Sequence, residues 1–173
     1  PPASGKGYIE TLEAKLAESL EYAYNEYGLV SIFMPMSKGD IGIMEEISQL
    51  METPFRVLGH VYEPEELIGM MEQMELVIAM RLHTLVYSSI ATTPMLGLIY
   101  DPKIKGYLDY ISQYAAGSVE NIESSTINDK IDMIMNNYNH EKNKLIDIME
   151  GMKALAKENV KLAFTLMEGE LGE

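Results

Sequence analysis

Thirteen Lys and Arg against 27 Asp and Glu in 173 residues leave a net charge of −14 and a pI near 4.6, which excludes nucleic-acid binding through a broad basic face. The length suits one domain, and 47% hydrophobic residues let it bury about 70% of its unfolded surface. With no Cys there is no disulfide, thiolate metal site or cysteine nucleophile, which fits a reducing cytoplasm.

Pro1 to Gly5 carries no basic stretch ahead of an apolar run, so it does not read as a secretory signal; it looks like an expression leader. From Tyr8 to Tyr27, Ile9, Leu12, Leu16, Leu20 and Tyr24 recur at three- and four-residue steps and stop at Gly28, predicting an amphipathic helix. Leu29 to Met36 reads as a strand. Beyond Pro35 and the turn Ser37–Asp40, Ile43, Ile47 and Leu50 return to helical spacing. A second strand is expected at Phe55–Gly59. A helix opens at Glu63-Pro64-Glu65-Glu66, where Pro and acid suit an N-terminus, and runs to about Gln73.

Leu76 to Tyr100 is long enough to cross a bilayer but holds Arg81, His83 and Pro94, and so reads as buried soluble core. Within it, Leu76–Met80 and Pro94–Tyr100 are apolar runs typical of strands buried on both faces, with a helix of small residues, Leu82–Ala91, between them. A helix over about Lys103–Tyr114, an edge strand at Ser118–Ile122 and a long helical tract from Thr126 to Glu168, bent near Asn136–His140, complete the pattern.

Strand–helix alternation without hairpin signals predicts one α/β domain: a Rossmann-like, doubly wound, three-layer parallel sheet with flanking helices. The α/β core is expected over about 8–122, followed by a helical C-terminal tail over 123–173. Such domains normally start with a central strand, so a strand is expected to be missing ahead of Tyr8.

Arg81 is one of two arginines, and it stands between a buried strand and the next helix, two residues before His83. Ligands of open α/β sheets bind at the carboxyl ends of strands, where helix N-termini favour anions. Arg supplies a forked, permanently charged donor and His a group that titrates near neutrality, so the pair suits a phosphate or carboxylate and acid–base work. Alternatively, Arg81 pairs with a carboxylate and His83 with a backbone carbonyl.

Tyr100-Asp101-Pro102-Lys103 follows the next strand and would share that rim. There Asp101 could orient a hydroxyl or His83 and Lys103 could neutralise phosphate, or the four residues simply open a helix. Asp40 could reach a sugar hydroxyl or cap the helix it precedes. His60 and His140 lack partners at metal-ligand spacing, so no metal site is expected. The 14 Met are read as core. GxGxxG, GxxxxGK[ST] and GxSxG motifs are absent, which argues against a self-contained dinucleotide, P-loop or serine-hydrolase enzyme.

Leu76 to Leu108, LVIAMRLHTLVYSSIATTPMLGLIYDPKIKGYL, resembles the carboxyl-terminal part of polysaccharide pyruvyl transferases, with RLH at Arg81-Leu82-His83 and YDPK at Tyr100–Lys103. FMPM with Asp40 and the EPEEL helix fit the same pattern, so the likeness covers roughly residues 8–115. It implies the second half of a fold similar to B-type glycosyltransferases, the N-terminal half being absent and the isolated piece therefore inactive. The implied reaction moves pyruvyl from phosphoenolpyruvate, a donor substrate rather than a cofactor, onto two hydroxyls of a glycan or lipid-linked sugar as a ketal, in cell-wall or exopolysaccharide synthesis. Arg81, with Leu82, Asp101, Lys103 and Asp40, would bind substrate, and His83 would be the catalytic acid.

Ala79 departs from the glycine common before MRLH. The missing strand raises the prospect of a homodimer that lends one. The cytoplasm, at the membrane face where lipid-linked acceptors form, is the expected location. Two other readings stand: the nucleotide-sugar-binding half of a B-type glycosyltransferase or epimerase, and a non-catalytic module whose acidic tail, Thr126–Glu173, docks a partner.

Overall fold

A computed structural model describes residues 6–170, with side-chain surroundings over 12–167. Pro1–Gly5, residues 171–173 and the Ile9 side chain lie outside the described residues. The opening helical stripe is α1 (Lys6–Tyr27). Gly28 ends it at φ +72, its N–H donating to Tyr24 O at 2.8 Å, a left-handed position where a Cβ would strain the chain. Then follow β1 (Ser31–Phe33), α2 (Lys38–Gln49), β2 (Phe55–Val57), α3 (Pro64–Met71), β3 (Val77–Ala79), α4 (Leu82–Ile90), β4 (Met95–Ile99), α5 (Pro102–Tyr110), β5 (Tyr114–Ser118), α6 (Ser124–Met135) and α7 (Tyr138–Glu170).

Every strand pair is parallel, as a Rossmann-like alternation requires: β1 beside β2, and β3-β4-β5 in that order. The single sheet expected from the alternation is instead in two pieces. Among the described residues no ladder joins β1 to β3; side chains bridge them, Leu29 packing in one cluster with Leu76 and Ile78. Val30 and Ile32 are about half exposed, unlike the residues of a strand paired on both edges.

β4 shows why this region reads as buried strand. Met95 and Ile99 join a core with Leu85 of α4, Ile104 and Leu108 of α5, and Leu145 and Met149 of α7. Leu96 and Leu98 face the opposite core, against Ala23 of α1 and Ile127, Ile131 and Ile134 of α6. Period-two alternation in a strand covered by helices on both faces makes the whole run apolar. A third cluster, Ala17, Phe33, Ile47 and Met51, seats α1 and α2 on the small sheet.

Two expected boundaries are corrected. α5 ends at Tyr110 rather than near Tyr114, and β5 runs Tyr114–Ser118 instead of Ser118–Ile122. Ser112 takes φ +53 and Gln113 N–H donates to Leu108 O at 2.9 Å, a left-handed helix stop made without glycine. The expected bend in the tail falls at Asn136-Asn137, between α6 and α7.

α1 is also tied to α6 by polar bonds. Tyr27 donates to Asp132 Oδ1 at 2.7 Å and Tyr22 to the same carboxylate at 2.8 Å. The bond to Asp132, with burial second, pushes the Tyr27 ionisation from 10.0 up to about 12. A raised folded-state value contributes stability in full below pH 10 and loses it as pH climbs to about 12. The urea midpoint is therefore expected to fall over pH 10–12, and to fall less in a Tyr22→Phe/Tyr27→Phe variant; equal slopes would refute the coupling.

Candidate functional site

Arg81 follows β3 and occupies the N-cap position of α4 in an extended conformation (φ −88, ψ 130). Its Nη2 reaches across to α2, donating to Ser37 Oγ at 3.1 Å and Asp40 Oδ1 at 2.5 Å. The N-termini of α2 and α4 thus meet at the carboxyl ends of strands from the two sheets, joined by one guanidinium. Both hydrogen bonds start from Nη2, so among the described residues Nη1 and Nε are left without a protein acceptor, and the Arg81 side chain is 50% exposed.

Asp40 is held from four sides. Its carboxylate accepts the N–H groups of Met36 (3.0 Å) and Ser37 (2.9 Å), the Ser37 hydroxyl (3.0 Å) and Arg81. The bond from Ser37 N–H is the returning half of a capping box, signalled in the sequence by Ser-x-x-Asp. Burial pushes the Asp40 carboxyl up, but the bonds from Arg81, Ser37 and Met36 outweigh it and hold the group below its ordinary 3.8. A depressed folded-state value gives stability above pH 3.8 that is lost as pH falls through the lowered value. Asp40→Asn is expected to lower stability at pH 7 by about 1 kcal/mol, the scale of a lost helix cap, and to flatten the acid limb of a thermal-melt series; an unchanged limb would remove Asp40 from that role.

The capping reading of Asp40 and the carboxylate-partner reading of Arg81 therefore meet on one carboxylate, with Ser37 as the N-cap and Asp40 inside the first turn of α2 rather than ahead of it. Asp40 holds one edge of the Arg81 fork toward α2. Ser37, the other acceptor, was not singled out as a partner of Arg81 from the sequence.

His83 lies exposed in the first turn of α4, and Leu82 before it is half-buried. His83 has no hydrogen-bond or ion-pair partner among the described residues. Asp101 caps α5, accepting Lys103 N–H at 2.9 Å, and pairs with Lys103 Nζ at 3.2 Å. That backbone bond, ahead of the Lys103 side chain, holds Asp101 below its ordinary value. Asp101 and Lys103 satisfy each other rather than reaching His83.

A shallow depression of about 400 Å³ beside them is lined by Asp101, Asp109, Glu120 and Lys105, an acidic setting unsuited to a phosphate. It contains neither Arg81 nor His83. The two motifs share the rim, because Ala79 of β3 pairs with Gly97 of β4, but they form separate clusters. His60 stacks on Tyr62, with ring centroids 3.9 Å apart. Among the described residues no group of three or more His, Asp or Glu could hold a metal, and no helix is long and apolar enough to cross a membrane.

Parallel strands ending at helix N-termini, with a half-exposed arginine between them, define a Rossmann-like α/β domain. The chain belongs to the polysaccharide pyruvyl transferase family, whose model matches residues 1–102. The match takes in β1 to β4, Ser37, Asp40 and the whole Arg81-Leu82-His83 motif; it stops at Pro102, one residue short of Lys103. No curated protein and no solved structure matches the chain.

Proposed function

We propose that this domain forms the donor side of a pyruvyl transferase that uses phosphoenolpyruvate and a sugar acceptor. The observation that carries the reading is Arg81: a half-exposed guanidinium, anchored by one nitrogen to Ser37 and Asp40, beside the free N–H groups that open α4. Such a fork, held from behind, suits the phosphate or carboxylate of phosphoenolpyruvate.

In the proposed reaction one sugar hydroxyl adds to C2 of phosphoenolpyruvate as C3 gains a proton from His83, and the proton given up by that hydroxyl returns to His83. The C2–O bond to phosphate then breaks, the second hydroxyl bonds to C2, and its proton leaves with the phosphate. The products are a cyclic ketal and inorganic phosphate. The enolpyruvyl carbon must be shielded from water, and a second wall closing over the exposed Arg81 and His83 would provide that. The isolated 173-residue chain would then bind donor without turning it over. Cell-wall or exopolysaccharide precursors, made at the cytoplasmic face of the membrane, are the acceptors that this chemistry serves.

Calorimetric titration of phosphoenolpyruvate, phosphate and UDP into the chain tests the reading. Saturable binding of phosphoenolpyruvate, tighter than phosphate and with UDP silent, is expected. Binding of UDP alone would transfer the site to a nucleotide-sugar enzyme.

A further inference from the structure

The depression of about 400 Å³ beside Asp101 has a volume in the ~300–1,000 Å³ range of small-molecule sites, and it lies at the carboxyl ends of strands, where open α/β sheets bind their ligands. Ile99 and Ser118, paired in register where β4 and β5 end, both line it, as do Tyr100 and Glu120 just beyond them. Gly106, the fifth of nine residues in α5, forms part of its wall. A Cβ there would meet no atom within 4 Å, so no packed neighbour requires a glycine at a helix position that ordinarily favours alanine. The bare backbone keeps the depression open.

Its polar groups are only partly used by the protein. Lys105 Nζ donates to Asp109 Oδ2 at 2.6 Å and leaves Oδ1 without a partner, and the Glu120 side chain and Tyr100 hydroxyl have none among the described residues. Carboxylate acceptors beside a half-exposed tyrosine ring suit a ligand rich in hydroxyl donors with an apolar face, which describes a pyranose. Charge then sorts two ligands along one rim. Asp101, Asp109 and Glu120 against Lys105 leave the lining at −2, since one minus three is −2, whereas the neighbouring strand β3 ends at the Arg81 guanidinium. Adjacent strands stand about 4.8 Å apart, so a sugar ring over the ends of β4 and β5 can turn hydroxyls toward a donor held at the end of β3.

We propose that this depression is the acceptor subsite and takes an uncharged pyranose: ring hydroxyls donate to Asp109 Oδ1 and Glu120, one ring face lies on Tyr100, and the negative lining turns away uronic acids and phosphoenolpyruvate itself. Its place in the reaction rests on the donor reading of Arg81; its ability to hold a sugar does not.

Saturation-transfer NMR of the 173-residue chain with methyl β-glucoside, methyl β-galactoside and methyl β-glucuronide tests this, with calorimetry of phosphoenolpyruvate alongside. Saturable binding of at least one neutral glycoside at tens of millimolar is expected, with the glucuronide at least about tenfold weaker because like charges would face each other. Gly106→Leu, which fills the depression, should abolish glycoside binding while the melting temperature stays level or rises and phosphoenolpyruvate affinity is unchanged. Asp109→Asn/Glu120→Gln should bring the glucuronide level with the glucoside, a change of preference that a purely structural role for these carboxylates would not produce. Failure of both neutral glycosides to bind, binding that survives Gly106→Leu, or a glucuronide that matches the glucoside on the wild-type chain would overturn the proposal. Glycosides that bind as expected while phosphoenolpyruvate does not would sink the donor reading alone and leave the sugar site standing.

Discussion

Arg81→Ala is expected to weaken phosphoenolpyruvate binding by roughly 10- to 100-fold, the effect of losing a charge-assisted hydrogen bond worth about 1.5–3 kcal/mol. Arg81→Lys should recover only part of it, because an ammonium keeps the charge but cannot hold Ser37 and Asp40 with one nitrogen while offering two more to the ligand. The fold should barely notice. The Arg81 side chain is half exposed, and an exposed ion pair contributes about 0–1 kcal/mol, so a melting temperature close to wild type separates lost binding from lost structure. His83→Gln, one turn-step further into α4 with no protein partner among the described residues, should leave donor affinity nearly intact. Calorimetry on the three variants decides: affinity unchanged in Arg81→Ala would sink the donor site, whatever the oligomeric state of the chain.

The position of Arg81 was legible because it depends on a local pattern, an apolar run that ends where a helix begins. Its partner was not. Asp40 is 41 residues away, and reading it as a helix cap gave no sign that its carboxylate would be shared with a guanidinium from the other sheet. β4 could be read directly from Met95–Ile99, since helices on both sides demand apolar residues at every position. β5, Tyr114–Ser118, could not: Ala115 and Ala116 are small and pack in clusters whose bulk comes from side chains such as Ile99 and Ile131, and α5 ends at Tyr110 with Ser112, not a glycine, in the left-handed position after it. The division into two sheets is a matter of which strands stand side by side, and alternation along the chain carries no information about it.

Gly97 separates strand propensity from packing, and packing is expected to win by a wide margin. It sits in the centre of β4, in register with Ala79 of β3 and Ala115 of β5, where a β-branched residue is ordinarily favoured by up to ~1 kcal/mol. A Cβ added there would lie 2.4 Å from Leu108 Cδ1 and 3.4 Å from Ile104 Cγ2, both side chains of α5 that are fully buried. Leu108 can move only into space occupied by the same core, so Gly97→Ala should cost about 1–3 kcal/mol and Gly97→Val more. Leu108→Ala alone should cost about 2–5 kcal/mol through its cavity. Because the added methyl enters the space that Leu108 Cδ1 vacates, the double variant should be more stable than the sum of the singles by about 1 kcal/mol or more. Urea unfolding of the four proteins measures that coupling. Strict additivity would mean that α5 shifts as a unit instead, which would also displace Asp101 and Lys103 from the rim they share with Arg81.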